Sequence, residues 1–132
     1  MDKLICGIHH VAIKYDDVAQ FEKAIHFYHD LLGLEIARTW GEGEKVAAMI
    51  DTGSGILEIF ANGKDLATNG MIAHVALKTK DVDKCIEIAR NAGYEITIEP
   101  KDLAFATAVP YSARLAFCKG PGGEDVEFFC EK

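Results

Sequence analysis

Residues 8–18 read Ile8-His9-His10-Val11-Ala12-Ile13-Lys14-Tyr15-Asp16-Asp17-Val18, and residues 72–82 read Ile72-Ala73-His74-Val75-Ala76-Leu77-Lys78-Thr79-Lys80-Asp81-Val82. At an offset of 64, seven of these 11 positions are identical: Ile8/Ile72, His10/His74, Val11/Val75, Ala12/Ala76, Lys14/Lys78, Asp17/Asp81 and Val18/Val82. A second echo, at an offset of 69, joins Ile56-Leu57-Glu58-Ile59-Phe60 to Asp125-Val126-Glu127-Phe128-Phe129. Self-similarity at a fixed spacing marks a duplicated structural unit. The chain therefore reads as two copies of one module, with a few residues added in the second.

Working outward from these stretches, residues 8–14 alternate with the period of a strand. Asp16 or Asp17 suits the N-cap of a helix running through Leu31, with Val18, Phe21, Ile25, Tyr28 and Leu32 as its apolar stripe. Gly33 suits its exit, where a positive φ is tolerated. Strands are expected at 34–40, 45–50 and 56–61, with turns at 41–43 and 52–55. The second half repeats the order: a strand at Ile72–Thr79, a helix at Val82–Asn91 stopped by Gly93, and strands at 95–99, 113–119 and 125–130. Each half is thus β-α-β-β-β, an α+β arrangement, and residues 62–70 link the two. Residues 100–112, with Pro100 and Pro110 near their ends and Phe105 and Tyr111 among them, have no counterpart in the first half and read as a long loop. Long loops in compact domains are usually functional, so a pocket wall or lid carrying Phe105 and Tyr111 is expected there.

The 132 residues fit one domain with a real core. At 49% hydrophobic and 27% charged the composition is globular rather than disordered. Fourteen basic against 21 acidic residues give a net charge of −7 and a pI near 5.1. That balance argues against a partner such as duplex nucleic acid or an anionic membrane, both of which need a basic face. The longest stretch without Asp, Glu, Lys or Arg is 66–77, 12 residues and too short to span a bilayer. The start runs directly into a strand pattern without an apolar core and small-residue cleavage site. Cys6, Cys85, Cys118 and Cys130 form no CxxC pair, and free thiols in a reducing compartment are expected. A cytoplasmic protein is the resulting expectation.

Strand parity decides which residues face together. Val11 and Ile13 suit the helix side of the first strand, which leaves His10, Ala12 and Lys14 on the other; in the copy, Val75 and Leu77 leave His74, Ala76 and Lys78. Leu57 and Ile59 pack, so Glu58 shares its face with Phe60; Val126 and Phe128 pack, so Glu127 shares its face with Phe129. Each half turns one imidazole and one carboxylate away from its helix. Neither His10 nor Glu58 has strand propensity or core value, and both recur. Two imidazoles and two carboxylates suit a divalent transition metal with positions left for water or substrate. His9 has the opposite parity and matches Ala73, so it is left outside this set; His26 and His29 read as a solvated helix face.

Together with these stretches, Ala24-Ile25-His26-Phe27-Tyr28-His29-Asp30-Leu31-Leu32-Gly33-Leu34-Glu35 and Gly120-Pro121-Gly122-Gly123-Glu124-Asp125-Val126-Glu127-Phe128-Phe129 complete a pattern over nearly the whole chain. It resembles the vicinal oxygen chelate superfamily, which holds glyoxalase I, extradiol dioxygenases, methylmalonyl-CoA epimerase and bleomycin resistance proteins. The resemblance implies one domain over 1–132, with module one about 5–62 and module two about 70–131 around a metal-centred cavity. His10, Glu58, His74 and Glu127 fall on its four metal-ligand positions. The order His, Glu, His, Glu matches glyoxalase I, whereas the epimerases usually carry Gln at the position of Glu58. The resemblance further implies one divalent ion (Zn, Ni or Co favoured, Mn or Fe possible) and proton transfer through a metal-stabilised enediolate on a small dicarbonyl–thiol adduct such as that of glutathione. Glu127 would be the base, with Glu127 or Glu58 returning the proton. Asn62 matches a glutathione-contacting Asn, and Lys14 stands where an Arg often does; Phe60, Phe105, Tyr111 and Phe129 are further substrate-binding candidates. A homodimer is implied as well. The alternatives are a related epimerase or dioxygenase on the same metal, or a non-catalytic protein that sequesters a drug or ligand.

Overall fold

The computed structural model describes residues 3–63, 70–120 and 123–132. Most of the expected 62–70 link, and Pro121 and Gly122 of the terminal turn, lie outside the described residues. The elements run β1 (Ile5–Lys14), α1 (Val18–Ile25), β2 (Glu35–Trp40), β3 (Ala47–Asp51), β4 (Ile56–Phe60), β5 (Ile72–Thr79), α2 (Val82–Asn91), β6 (Ile96–Phe105), β7 (Tyr111–Lys119) and β8 (Asp125–Glu131). This is the mixed α+β pattern expected from the duplicated stretches.

The chain divides into two compact units. The N-unit holds His10–Ala73 and Ala106–Val109; the C-unit holds the chain's start through His9, His74–Phe105 and Pro110–Lys132. In the N-unit the strand order is β2-β3-β4-β1, with β1 parallel to β4 and the other neighbours antiparallel. In the C-unit it is β6-β7-β8-β5, with β5 parallel to β8. The identical Asp17 and Asp81 are explained by one job: each carboxylate accepts the backbone N–H three residues on, from Gln20 at 2.9 Å and from Lys84 at 3.0 Å. Those bonds satisfy a donor that a helix start leaves open.

Helix packing then sets the facing of the strands. In the N-unit, Phe21 and Ala24 of α1 pack on Ala48, Ile50 and Ile59, joined by Ile13 and Leu57. In the C-unit, Val82 and Ile86 of α2 pack on Ala116 and Cys118, joined by Val126 and Phe128. With Leu57, Ile59, Val126 and Phe128 turned to the helices, alternation sends Glu58 and Glu127 to the opposite faces.

Three local expectations are corrected. Residues 100–112 are not a long loop: β6 continues to Phe105, β7 starts at Tyr111, and only 106–110 connect them. Pro100 is tolerated inside β6 because that strand is the edge of its run, where a missing N–H costs no ladder bond. Register shifts between Ile96 and Lys101 further mask the alternation. The first helix keeps α geometry only to Ile25 and continues as a π-helical segment, His26–Leu31. The wider turn rotates the stripe, so Leu32 is exposed rather than packed. Finally, Gly43–Lys45 forms a short 3-10 turn, so the strand expected from 45 starts at Ala47.

That turn makes Gly41 irreplaceable. Its φ is +77°, and a Cβ built there would lie 2.0 Å from the Lys45 carbonyl oxygen. Gly41→Ala should destabilise by about 2–4 kcal/mol, from a left-handed backbone and a backbone clash together. Gly53→Ala should cost only the first part, because Gly53 has φ +95° and nothing within 4 Å of such a Cβ. Urea unfolding of both variants checks the difference, and equal losses would refute the clash.

Burial pushes the Cys85 thiol up, and burial with a smaller push from Glu124 does the same for Cys118. The folded state therefore holds these protons more tightly than the unfolded state. Stability is full below the unfolded thiol pKa and should fall as pH rises past about 9. Urea midpoints across that range should decline in the native chain and flatten in C85A/C118A; parallel slopes would contradict the assignment.

Candidate metal centre

The two units build the same pair by the same device. In the N-unit, register places Ala12 of β1 opposite Glu58 of β4, and His10 stands two residues before Ala12 on the same face. In the C-unit, Ala76 of β5 lies opposite Glu127 of β8, and His74 stands two residues before Ala76. Both alanines are fully buried. A methyl group at that position leaves room for the imidazole to lean along the strand onto the facing carboxylate, which accounts for the Ala12/Ala76 identity.

His10 Nε2 lies 3.3 Å from Glu58 Oε1, and His74 Nε2 lies 3.0 Å from Glu127 Oε1. The His10, Glu58 and Glu127 residues are 1%, 4% and 4% exposed. His74 packs edge-on against Phe117, ring centroids 5.0 Å apart. Carboxylates this deep are costly unless a positive charge faces them. Nitrogen and oxygen ligands bound at right angles about 2.1 Å from one ion lie about 3 Å from each other. Each pair therefore has the donor types, burial and spacing of two adjacent ligands of a divalent transition metal.

The substrate-side candidates are distributed between the units. In the N-unit, Lys14 ends β1 with Phe60 opposite it in register, and Asn62 is exposed just beyond β4. Phe60 meets Trp40 edge-on at 6.3 Å. In the C-unit, Phe105 lies 5.0 Å from Tyr111 and 6.4 Å from Phe129, one aromatic cluster. The reading by parity missed His9. It is buried, its ring lies 4.3 Å from that of Phe129, and its Nε2 lies 2.7 Å from Glu131 Oε2. Strict alternation allows only one of two neighbouring histidines to face a site, yet His9 serves the C-unit and His10 the N-unit. The available signal was a polar residue at a position that parity assigns to apolar packing.

The family model described as Glyoxalase/Bleomycin resistance protein/Dioxygenase superfamily matches residues 7–128. The chain belongs to this superfamily. Its members are mostly enzymes that bind a divalent metal and small-molecule substrates. Over 118 residues the chain is 27% identical to a probable lactoylglutathione lyase of Synechocystis, covering 83% of this chain and 86% of the relative. In structure it resembles methylmalonyl-CoA epimerase from Mycobacterium tuberculosis, with TM-score 0.74 and 22% identity over 100% of this chain and 92% of the other. It also resembles a Mn(II)-bound glyoxalase from Novosphingobium aromaticivorans, with TM-score 0.69 and 22% identity over 96% of this chain and 39% of that one. These structural likenesses establish the fold of this superfamily protein. Among its described residues, no helix is long and apolar enough to cross a membrane.

Proposed function

We propose that this protein is a divalent-metal-dependent lyase of the lactoylglutathione lyase type, moving a proton between adjacent carbons of an adduct of a small dicarbonyl and a thiol. The observation that carries this reading is the acidic member of each pair. Glu58 and Glu127 are both buried carboxylates, 3.3 and 3.0 Å from an imidazole. A Gln at position 58 would fit an epimerase better, and a two-His-one-carboxylate iron site has no use for a fourth ligand.

In this reading His10, Glu58, His74 and Glu127 hold one ion, with Zn, Ni or Co favoured by the donor set and Mn or Fe admissible. When bound, the metal supplies Lewis-acid polarisation of two vicinal substrate oxygens. Glu127 takes the proton beside the substrate carbonyl, and Glu127 or Glu58 returns one to the neighbouring carbon. Burial of both carboxylates keeps bulk water from exchanging the proton in transit. Lys14, on the His10 face of β1, offers a single-point cation for a substrate carboxylate.

The test is turnover of the methylglyoxal–glutathione hemithioacetal by metal-stripped protein reloaded in turn with Ni, Co, Zn, Mn and Fe(II). Activity that returns with metal, at one ion per chain, and falls in Glu58→Gln supports the reading. Metal-loaded protein that ignores the hemithioacetal but epimerises methylmalonyl-CoA replaces it with the epimerase.

A further inference from the structure

The two units follow one pattern and depart from it at one place. The offset that aligns Glu58 with Glu127 also aligns Phe60 with Phe129 and Asn62 with Glu131, and the offset that aligns His10 with His74 aligns Ala73 with His9. The unit boundaries keep the correspondence: Phe60, Asn62 and Ala73 belong to the N-unit, and Phe129, Glu131 and His9 to the C-unit. In the C-unit the His9 ring covers Phe129 at 4.3 Å with a 42° tilt, Glu131 holds His9 at 2.7 Å, and Phe129 is 1% exposed. In the N-unit Phe60 is only half-buried, Ala73 presents a methyl where the twin has an imidazole, and Asn62 is exposed.

We propose that the His9–Glu131 pair is a plug that closes the C-unit half of the duplicated site, and that Phe60, Asn62 and Ala73 form the matching subsite for a planar, hydrogen-bonding group of the substrate about the size of an imidazole. Such a group lies on the Phe60 ring as His9 lies on Phe129, at ordinary stacking distance. Its polar edge meets Asn62, whose amide both donates and accepts, where Glu131 only accepts. The subsite therefore suits a neutral planar group, an amide or heteroaromatic ring, rather than a cation. A site with two equal halves would offer a substrate two equivalent poses. Filling one half leaves a single pose, and with it one fixed assignment of substrate carbons to carboxylates. The inference concerns where the ligand lies and holds whichever reaction the centre performs.

Trp40 is the one tryptophan of the sequence, and its ring lies 6.3 Å from that of Phe60, so its fluorescence reports on the subsite. Benzamide, planar and carrying an amide, serves as the probe on the full-length protein as purified. Saturable change of Trp40 emission is expected in the native chain. Building the plug in the N-unit with A73H/N62E should raise the half-saturation at least about tenfold. Removing it from the C-unit with H9A/E131N should leave the Trp40 response intact and add a second benzamide per chain by calorimetry. Free imidazole should raise the melting temperature of H9A, by refilling the space, and not that of the native chain. Should A73H/N62E not fold, the stoichiometry of H9A/E131N and the imidazole rescue decide. No saturable Trp40 response, an unaltered response in folded A73H/N62E, or one benzamide per chain in H9A/E131N with no imidazole rescue would overturn the proposal. None of these readouts requires turnover, so they are independent of the lyase reading.

Discussion

Glu127→Gln is expected to lower kcat by about 10²–10⁴-fold, the usual worth of a positioned general base, while the metal stays bound. Gln keeps an oxygen donor at the same place and the same volume, so the His74 neighbour and the packing under Phe129 have no reason to move. What it loses is the ability to accept a proton. Because that ability matters only as the proton leaves carbon, KM should change little and the loss should sit in kcat. Metal content and single-substrate kinetics on the same sample check both halves of this expectation. Full turnover with full metal occupancy would pass the base role to another group, and loss of the metal would make Glu127 a ligand first.

Stripping the metal should lower the melting temperature by roughly 10–20 °C. An ion present at about a thousand times its Kd adds about 4 kcal/mol to a fold that alone binds it, and in a chain of this size each kcal/mol moves the midpoint by a few degrees. The two buried carboxylates give the expectation its basis, since without a cation their desolvation is answered only by the facing imidazoles. Calorimetry of chelated and reloaded protein measures the shift. An unchanged midpoint at complete metal removal would mean that each histidine–glutamate pair is self-sufficient.

Much of this architecture can be read in the chain itself, for a physical reason. Duplication writes every constrained position twice, so Asp17/Asp81, His10/His74 and Glu58/Glu127 stand out against residues free to drift. What escaped reading lies where a local rule is suspended. Alternation assigns one face per residue, and it fails between His9 and His10, which are adjacent, both buried and in different units. Edge strands leave one side unpaired and tolerate proline, so β6 lacked the pattern that identified β3 and β4. A π-helical segment such as His26–Leu31 leaves no mark in composition, only a displaced stripe. Trp40 and Glu131 have no notable spacing of their own, and acquire meaning only against Phe60 and His9.

The grouping of the first residues through His9 with the second half, and of Ile72 and Ala73 with the first, bears on how such a protein can be inherited and engineered. A gene cut at the 62–70 junction would produce two peptides, each missing a piece that the other carries. The later peptide would lack His9, and the earlier one would lack Ala73. Neither could stand as a complete ancestor of the present molecule, yet mixed together, or as two identical copies exchanging ends, they would restore every missing segment. Once two such copies had been fused into one reading frame, later divergence of a single half, such as a histidine for an alanine, would alter one side without disturbing its twin. Circular permutation that joins the present termini and opens the chain at 62–70 would retain both exchanged pieces in one molecule, whereas simple truncation would lose one of them.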